Sequence, residues 1–400
     1  MVTNYYRKLL TLMGSGIFSQ LLPFFALPLY SRFFSPSDFQ VYAVFISIGI
    51  VLLPFTTLRL EHTLINQSDL KTKSIAYNSF GLIIITSVLL APFLLVTVHF
   101  LTNEGWSYLI FGMSFLYLSS IGLFSFFISY LARIGDFYTL SIIRFLKGLI
   151  EVSSTIAFAL YLDSWISLLI GIVIGNLIAC IFVIHKKNFK VRFKGILNIL
   201  KRQRKVIFID VPSSLLNSLS LQLPIILASY LATAEFSGLF AMSLRLISAP
   251  PALLFSSIGM LFRHEAMNSL KYKGDFKVPF IKTLLILMPI SLTSFIVFYF
   301  MPEFVWVTVF GNNWSGIGEI LAVLSFLVLV RTISLPLSYS FYLKGAVKQN
   351  LVFQGGMVLI LLLSFYFGSG GSDFKLIKTY VFSMFSYYLL YIYFQYKLSV

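Results

Sequence analysis

Apolar residues dominate the chain in long runs, separated by short polar gaps, with no sustained alternation of period two. A helix needs roughly 20 apolar residues to cross the hydrocarbon core of a bilayer. Twelve runs reach that length, at about 9–30, 40–58, 77–98, 108–131, 138–161, 164–185, 206–230, 237–261, 280–301, 317–341, 349–368 and 377–396. Backbone N–H and C=O groups cannot stay unpaired in lipid, so each run predicts a helix. The expectation is an all-α integral membrane protein of about twelve transmembrane helices.

Composition agrees with the pattern. Of 400 residues, 58% are hydrophobic and only 11% charged, and 43 are phenylalanine. A soluble domain carries about 25% charged residues. The formal net charge of +16 would point to nucleic acid in a soluble protein. Here the basic residues fall in alternate gaps, which is the positive-inside pattern. With the N-terminus in the cytoplasm, 25 of the 30 Lys and Arg residues lie on the cytoplasmic side, Arg7, Lys8, Lys71 and Lys73 among them. Only Arg32, Lys375 and Lys378 lie outside, and Arg245 and Arg331 fall within spans. Both termini are therefore expected in the cytoplasm. The run after Tyr5-Tyr6-Arg7-Lys8 is too long for a signal-peptide core and is read as an uncleaved first span.

The richest basic segment, from Lys186 to Lys205, lies at mid-chain. It predicts two six-helix bundles, 1–190 and 206–400, joined by a basic cytoplasmic linker over 191–205. A faint repeat supports this division. Ser37-Asp38-Phe39-Gln40-Val41-Tyr42-Ala43 resembles Ala234-Glu235-Phe236-Ser237-Gly238-Leu239-Phe240, 197 positions on, and Pro28 and Pro224 precede the two copies. Two homologous halves are a common plan for transporters.

Candidate chemistry is sparse. There is no Walker A sequence, no nucleophile elbow, no metal-spaced cluster, and no cofactor or catalytic residue is expected. Cys180, the one cysteine, is read as a small packed residue, and Gly171 and Gly175 predict close helix packing. His62, His99, His185 and His264 all fall near span ends.

What remains are charges within spans, which are costly to bury and so candidates for function. Arg245 and Arg331 lie near the midplane by residue count. Either they line a polar cavity that attracts an anionic substrate, or they form structural ion pairs or hydrogen bonds to carbonyls. Arg144, Lys147 and Glu151 share one helix face. Glu151 either pairs with Lys147 or binds a coupling proton or cation. Asp210 sits about one turn inside its span and reads as interfacial. Pro250 and Pro336 each follow an intramembrane arginine by five residues, where a bend suits a moving cavity wall.

Several segments carry a family resemblance: Gly16-Ile17-Phe18-Ser19-Gln20-Leu21-Leu22-Pro23, Leu27-Pro28-Leu29-Tyr30-Ser31-Arg32-Phe33-Phe34-Ser35-Pro36-Ser37-Asp38-Phe39 and Leu58-Arg59-Leu60-Glu61 in the first half. In the second half they are Asp210-Val211-Pro212, Leu223-Pro224, Gly238-Leu239-Phe240-Ala241, Phe310-Gly311-Asn312-Asn313-Trp314 and Ser334-Leu335-Pro336-Leu337-Ser338. In order and spacing these resemble Wzx-type O-antigen and polysaccharide flippases, of the multidrug/oligosaccharidyl-lipid/polysaccharide exporter superfamily. Gln40 departs from the pattern, at a position where that family has glycine.

The resemblance implies two six-helix bundles around a cationic cavity in the bacterial inner membrane. It implies flipping of undecaprenyl-pyrophosphate-linked oligosaccharide repeat units by alternating access. Arg245 and Arg331, with Arg59 near the cytoplasmic mouth, would hold the pyrophosphate. Membrane lipids and other polysaccharide-assembly proteins are the implied partners, and lipopolysaccharide O-antigen or another surface polysaccharide the product. Two alternatives stand beside this one: a cation-coupled multidrug or small-solute antiporter of the same superfamily, and a membrane polysaccharide polymerase or ligase. The second usually has a large extracytoplasmic loop, whereas the longest one here, about 302–316, has Glu303 as its one charge.

Overall fold

A computed structural model describes residues 22–64, 69–102, 104–105, 107–162, 164–189 and 195–400. The N-terminal part of the first expected span, with Arg7 and Lys8, and the basic residues Lys190, Arg192 and Lys194 lie outside these. Among the described residues the chain is helical with no strand.

The first half holds α1 (Leu27–Phe33), α2 (Pro36–Thr57), α3 (Leu60–Thr63), α4 (Asp69–Thr102), α5 (Tyr108–Arg133), α6 (Phe137–Ala159) and α7 (Ile166–Lys186). The second holds α8 (Ile196–Leu231), α9 (Ala234–Lys273), α10 (Lys277–Phe300), α11 (Glu303–Phe310), α12 (Ile317–Leu337), α13 (Ser340–Leu343), α14 (Val347–Gly368) and α15 (Asp373–Ser399). Side-chain caps start several of them and satisfy otherwise orphaned N–H groups. Ser107 accepts from Ile110 N before α5, Asp136 from Thr139 N before α6 and Ser372 from Lys375 N before α15.

Eight described helices are long and apolar enough to span a bilayer. The other four of the twelve expected spans are the first, α6, α9 and α15. Helix α6 carries Arg144, Lys147 and Glu151, and α15 is rich in tyrosine. Both are long enough to cross, and both are more polar than a lipid-facing span. Helix α9 has 40 residues, about 60 Å at 1.5 Å per residue, twice the hydrocarbon thickness. On its last turns Arg263, His264 and Lys271 are exposed.

The described residues form two compact units. One runs to Gln222 apart from Ser35–Ser37; the other holds Leu223–Val400 together with Ser35–Ser37. The basic segment expected as a linker is instead helical from Ile196, because Lys, Arg and Gln are good helix formers. Ile199 packs on the first unit's core while Lys201, Arg202 and Arg204 stay exposed. The division falls further on, inside α8.

The same pattern of neighbours recurs in both units. In the first, α4 packs on α5, α5 on α7 and α6 on α7; in the second, α10 on α12, α12 on α15 and α14 on α15. Counted as spans, these are third on fourth, fourth on sixth and fifth on sixth in each half. Helices α2 and α9 start at Pro36 and Ala234, with Asp38 and Glu235 in their first turns, matching the sequence repeat. The protein is an all-α membrane protein of two pseudo-symmetric six-helix bundles.

Each unit has its own aromatic-rich core. In the first, Phe189 sits in a cage of Tyr77, Phe80, Phe127 and Tyr130, with ring centroids 4.8, 6.4, 5.2 and 5.7 Å away. Beside it, Lys187 pairs with Asp136, and Arg133 Nε donates to Leu64 O at 2.9 Å. In the second, Phe262, Phe276 and Phe280 cluster with Ala266, Leu287 and Leu337.

Candidate functional site

Arg59 stands at a break in the backbone. Helix α2 ends at Thr57, and Leu58 (φ 47°) and Arg59 (φ 53°) are both left-handed before α3 begins. Two successive non-glycine residues in this region carry strain, which collects at functional sites. Short bonds hold the turn. Arg59 N donates to Thr57 Oγ1 at 3.2 Å, the Thr57 hydroxyl donates to Glu61 Oε1 at 3.2 Å, and Arg59 Nη1 donates to the same oxygen at 3.3 Å. Glu61 is 3% exposed and the Arg59 side chain 25%. Glu61 Oε2 and Arg59 Nε are both buried with no hydrogen-bond partner among the described residues.

Glu151, buried in α6, lies with Oε2 2.6 Å from Lys147 Nζ. The contact is an ion pair without hydrogen-bond alignment. Glycines make room for this face. A Cβ at Gly175 would lie 2.8 Å from Lys147 O and 3.2 Å from Glu151 Cβ. One at Gly171 would overlap Thr155 Oγ1 and lie 2.8 Å from Glu151 O. The small-residue pair of α7 thus packs directly on the charged face of α6. Asp210, in the first turn of the apolar part of α8, is half-buried, and Ser213 donates to its carbonyl at 3.2 Å.

The second unit carries the other two arginines, on α9 and α12, which pack together. Arg245 is half-buried between the buried Leu244 and Leu246. Arg331 lies 14 residues into α12, about 21 Å along it. It is half-buried, and the hydroxyls of Tyr388 and Tyr380 on α15 are its electrostatic neighbours. No described carboxylate lies within ion-pair distance of it.

Near Arg331, α15 makes polar contacts with both α14 and α12. Tyr388 donates to Met357 Sδ at 3.7 Å, Tyr391 to Asn350 Oδ1 at 2.9 Å, and Gln395 Nε2 to Ser334 O at 3.0 Å. Thr332 Oγ1, Ser334 Oγ and Gln395 Oε1 are buried without a partner among the described residues. Sequence reasoning passed over these residues. The signal was the spacing of Tyr380, Tyr388, Tyr391 and Gln395, which puts four polar groups along one stripe of α15.

Outside the spans, Asp136 caps α6. Partial burial works to raise its carboxyl pKa, and the bonds from Lys187 and from Thr139 N and Oγ1 outweigh that and hold it at about 2. Cys180 is free and buried.

Solved structures share this architecture. A lipid II flippase MurJ in an inward closed conformation superposes with a TM-score of 0.65 at 14% identity, over 99% of this chain and 87% of that one. An inward-facing multidrug resistance MATE family transporter of the MOP superfamily gives 0.61 at 14% identity, over 96% and 93%. The MATE multidrug transporter DinF-BH gives 0.61 at 12%, over 96% and 95%. Identities this low speak for the fold alone. No curated protein matches by sequence. The family model described as polysaccharide biosynthesis protein matches residues 29–319, most of the chain, and carries elements of both units, so the protein belongs to the polysaccharide biosynthesis protein family.

Proposed function

We propose that the protein is a flippase that moves undecaprenyl-pyrophosphate-linked oligosaccharide repeat units from the cytoplasmic to the outer leaflet of the bacterial inner membrane by alternating access. Both termini lie in the cytoplasm, and the product feeds an O-antigen, capsule or exopolysaccharide. The observation that carries this reading is Arg331. A guanidinium deep in an apolar span, faced by tyrosine hydroxyls and by no described carboxylate, is a cation kept available for an anion. A pyrophosphate crossing a low-dielectric layer needs such a partner, and guanidinium binds phosphate oxygens bidentately. Arg245 on the adjacent α9 is the second contact and Arg59 the third. Membership of a polysaccharide biosynthesis family and the fold of a lipid II flippase support the substrate class.

The chemistry asked of the protein is binding and reorientation, so no residue has a catalytic role. The Lys147–Glu151 pair is read as structural; an antiporter of the same fold would instead use Glu151 to bind its coupling ion. Arg245→Ala and Arg331→Ala should each abolish surface glycan at normal protein levels in a strain lacking the native gene. Full complementation by both variants would rule the arginine site out. Restored drug resistance in place of glycan export would favour the antiporter.

A further inference from the structure

We propose that Glu61 is a built-in counter-ion that occupies the anion-binding edge of Arg59 and makes the site select pyrophosphate over singly charged lipid phosphates. The inference rests on the reading of Arg59 as a phosphate contact and adds a specificity-determining residue to it.

The pair is poorly made for a structural one. Arginine and carboxylate bind best as a bidentate fork at about 2.7–2.9 Å. Here a single Nη1–Oε1 contact of 3.3 Å joins them, and each keeps an unmet group, Arg59 Nε and Glu61 Oε2. Buried unsatisfied groups cost free energy and call for an explanation. The left-handed Leu58 and Arg59 add backbone strain at the same point. The Thr57 hydroxyl keeps Glu61 where it is, while a quarter of the Arg59 side chain stays open. An incoming anion can therefore take the guanidinium edge without Glu61 leaving the protein.

That exchange is selective by charge. A phospholipid headgroup with one phosphate charge would replace one carboxylate contact with an equivalent one and gain little. A pyrophosphate carries more charge and more acceptor oxygens, and so outcompetes Glu61. In a membrane crowded with phospholipid, the carboxylate keeps Arg59 from being titrated by the bulk lipid.

The test measures binding of farnesyl pyrophosphate and of farnesyl methyl phosphate, a phosphodiester with a single charge, with farnesol as the uncharged control, to the detergent-purified full chain. Glu61→Gln should tighten phosphodiester binding about tenfold, tighten pyrophosphate binding less, and leave farnesol unchanged, so the preference for pyrophosphate shrinks. An unchanged preference would overturn the proposal. Where Glu61→Gln does not accumulate, Glu61→Asp, which draws the carboxylate back by one methylene, should move the preference in the same direction by a smaller factor, and no movement counts against the proposal equally. Arg59→Ala separates the two readings. If it binds pyrophosphate as the wild type does, the Arg59 contact itself is wrong. If it loses binding while Glu61→Gln leaves the preference intact, only the counter-ion role fails.

Discussion

Lys147 and Glu151 stand one turn apart on α6 with Nζ and Oε2 at 2.6 Å, and the carboxylate is 5% exposed. A buried ion pair returns little net stability, but losing one partner leaves an uncompensated charge. Glu151→Leu should therefore destabilise the detergent-solubilised protein by about 2–4 kcal/mol, and the Lys147→Leu/Glu151→Leu double variant should recover most of that loss. The thermal melting of the three proteins measures this. If glycan export returns with stability in the double variant, the pair is structural; if stability returns and export does not, Glu151 takes part in coupling.

The packing of α7 on that face makes a second prediction. Gly171→Ala should cost about 1–3 kcal/mol through overpacking, because the new methyl meets Thr155 Oγ1 and the Glu151 carbonyl. Thr155→Ala in the same chain should relieve part of it, since the hydroxyl can be removed but the carbonyl cannot. A double-mutant cycle on melting temperature reads the coupling; strictly additive effects would mean that the two residues do not touch.

Asp136 predicts an acid dependence. Its pKa is about 2 in the folded protein against an ordinary 3.8. The unfolded chain thus takes up the proton first, and the contribution is complete above about pH 5. It fades as pH falls through 4 toward 2. Asp136→Asn should lower stability at pH 6 by about 1–2 kcal/mol, through the loss of the Lys187 pair and of the charge that strengthens the bonds from Thr139. The gap between variant and wild type should close near pH 2, in melts taken across that range.

Phe189 anchors the stretch after α7 to the first unit's core. Phe189→Ala should cost about 3–5 kcal/mol by emptying the cage of Tyr77, Phe80, Phe127 and Tyr130, while Phe189→Leu should lose clearly less. Hydrogen exchange should show the N-terminal turns of α8, with Ile199 on the same core, opening faster in the alanine variant.

Much of the fold was legible along the chain. Run lengths predicted twelve helices, and the structure begins α5 at Tyr108 and α12 at Ile317, where the runs begin. The repeat around Ser37 and Ala234 marked the two helix starts that the units share. The mid-chain basic segment was the misleading signal. Charge density looked like a linker, yet Lys201, Arg202 and Arg204 continue a helix whose other face, at Ile199, is held by apolar packing.

For the candidate site, sequence alone located the costly charges, Arg245, Arg331 and Glu151, because any charge inside an apolar run is visible by contrast. It also placed Lys147 beside Glu151, since an i,i+4 pair needs only helical geometry. What faces Arg331 was decided by the tertiary structure. Tyr388 is 57 positions away, and the rotation and crossing of α12 on α15 bring it near. The half-satisfied Arg59–Glu61 pair likewise depends on two left-handed residues that no propensity predicts. The physical reason is common to both. A membrane helix that is apolar all round has no face marked by its sequence, so lipid fixes that it is a helix, and packing alone fixes which way its few polar groups point.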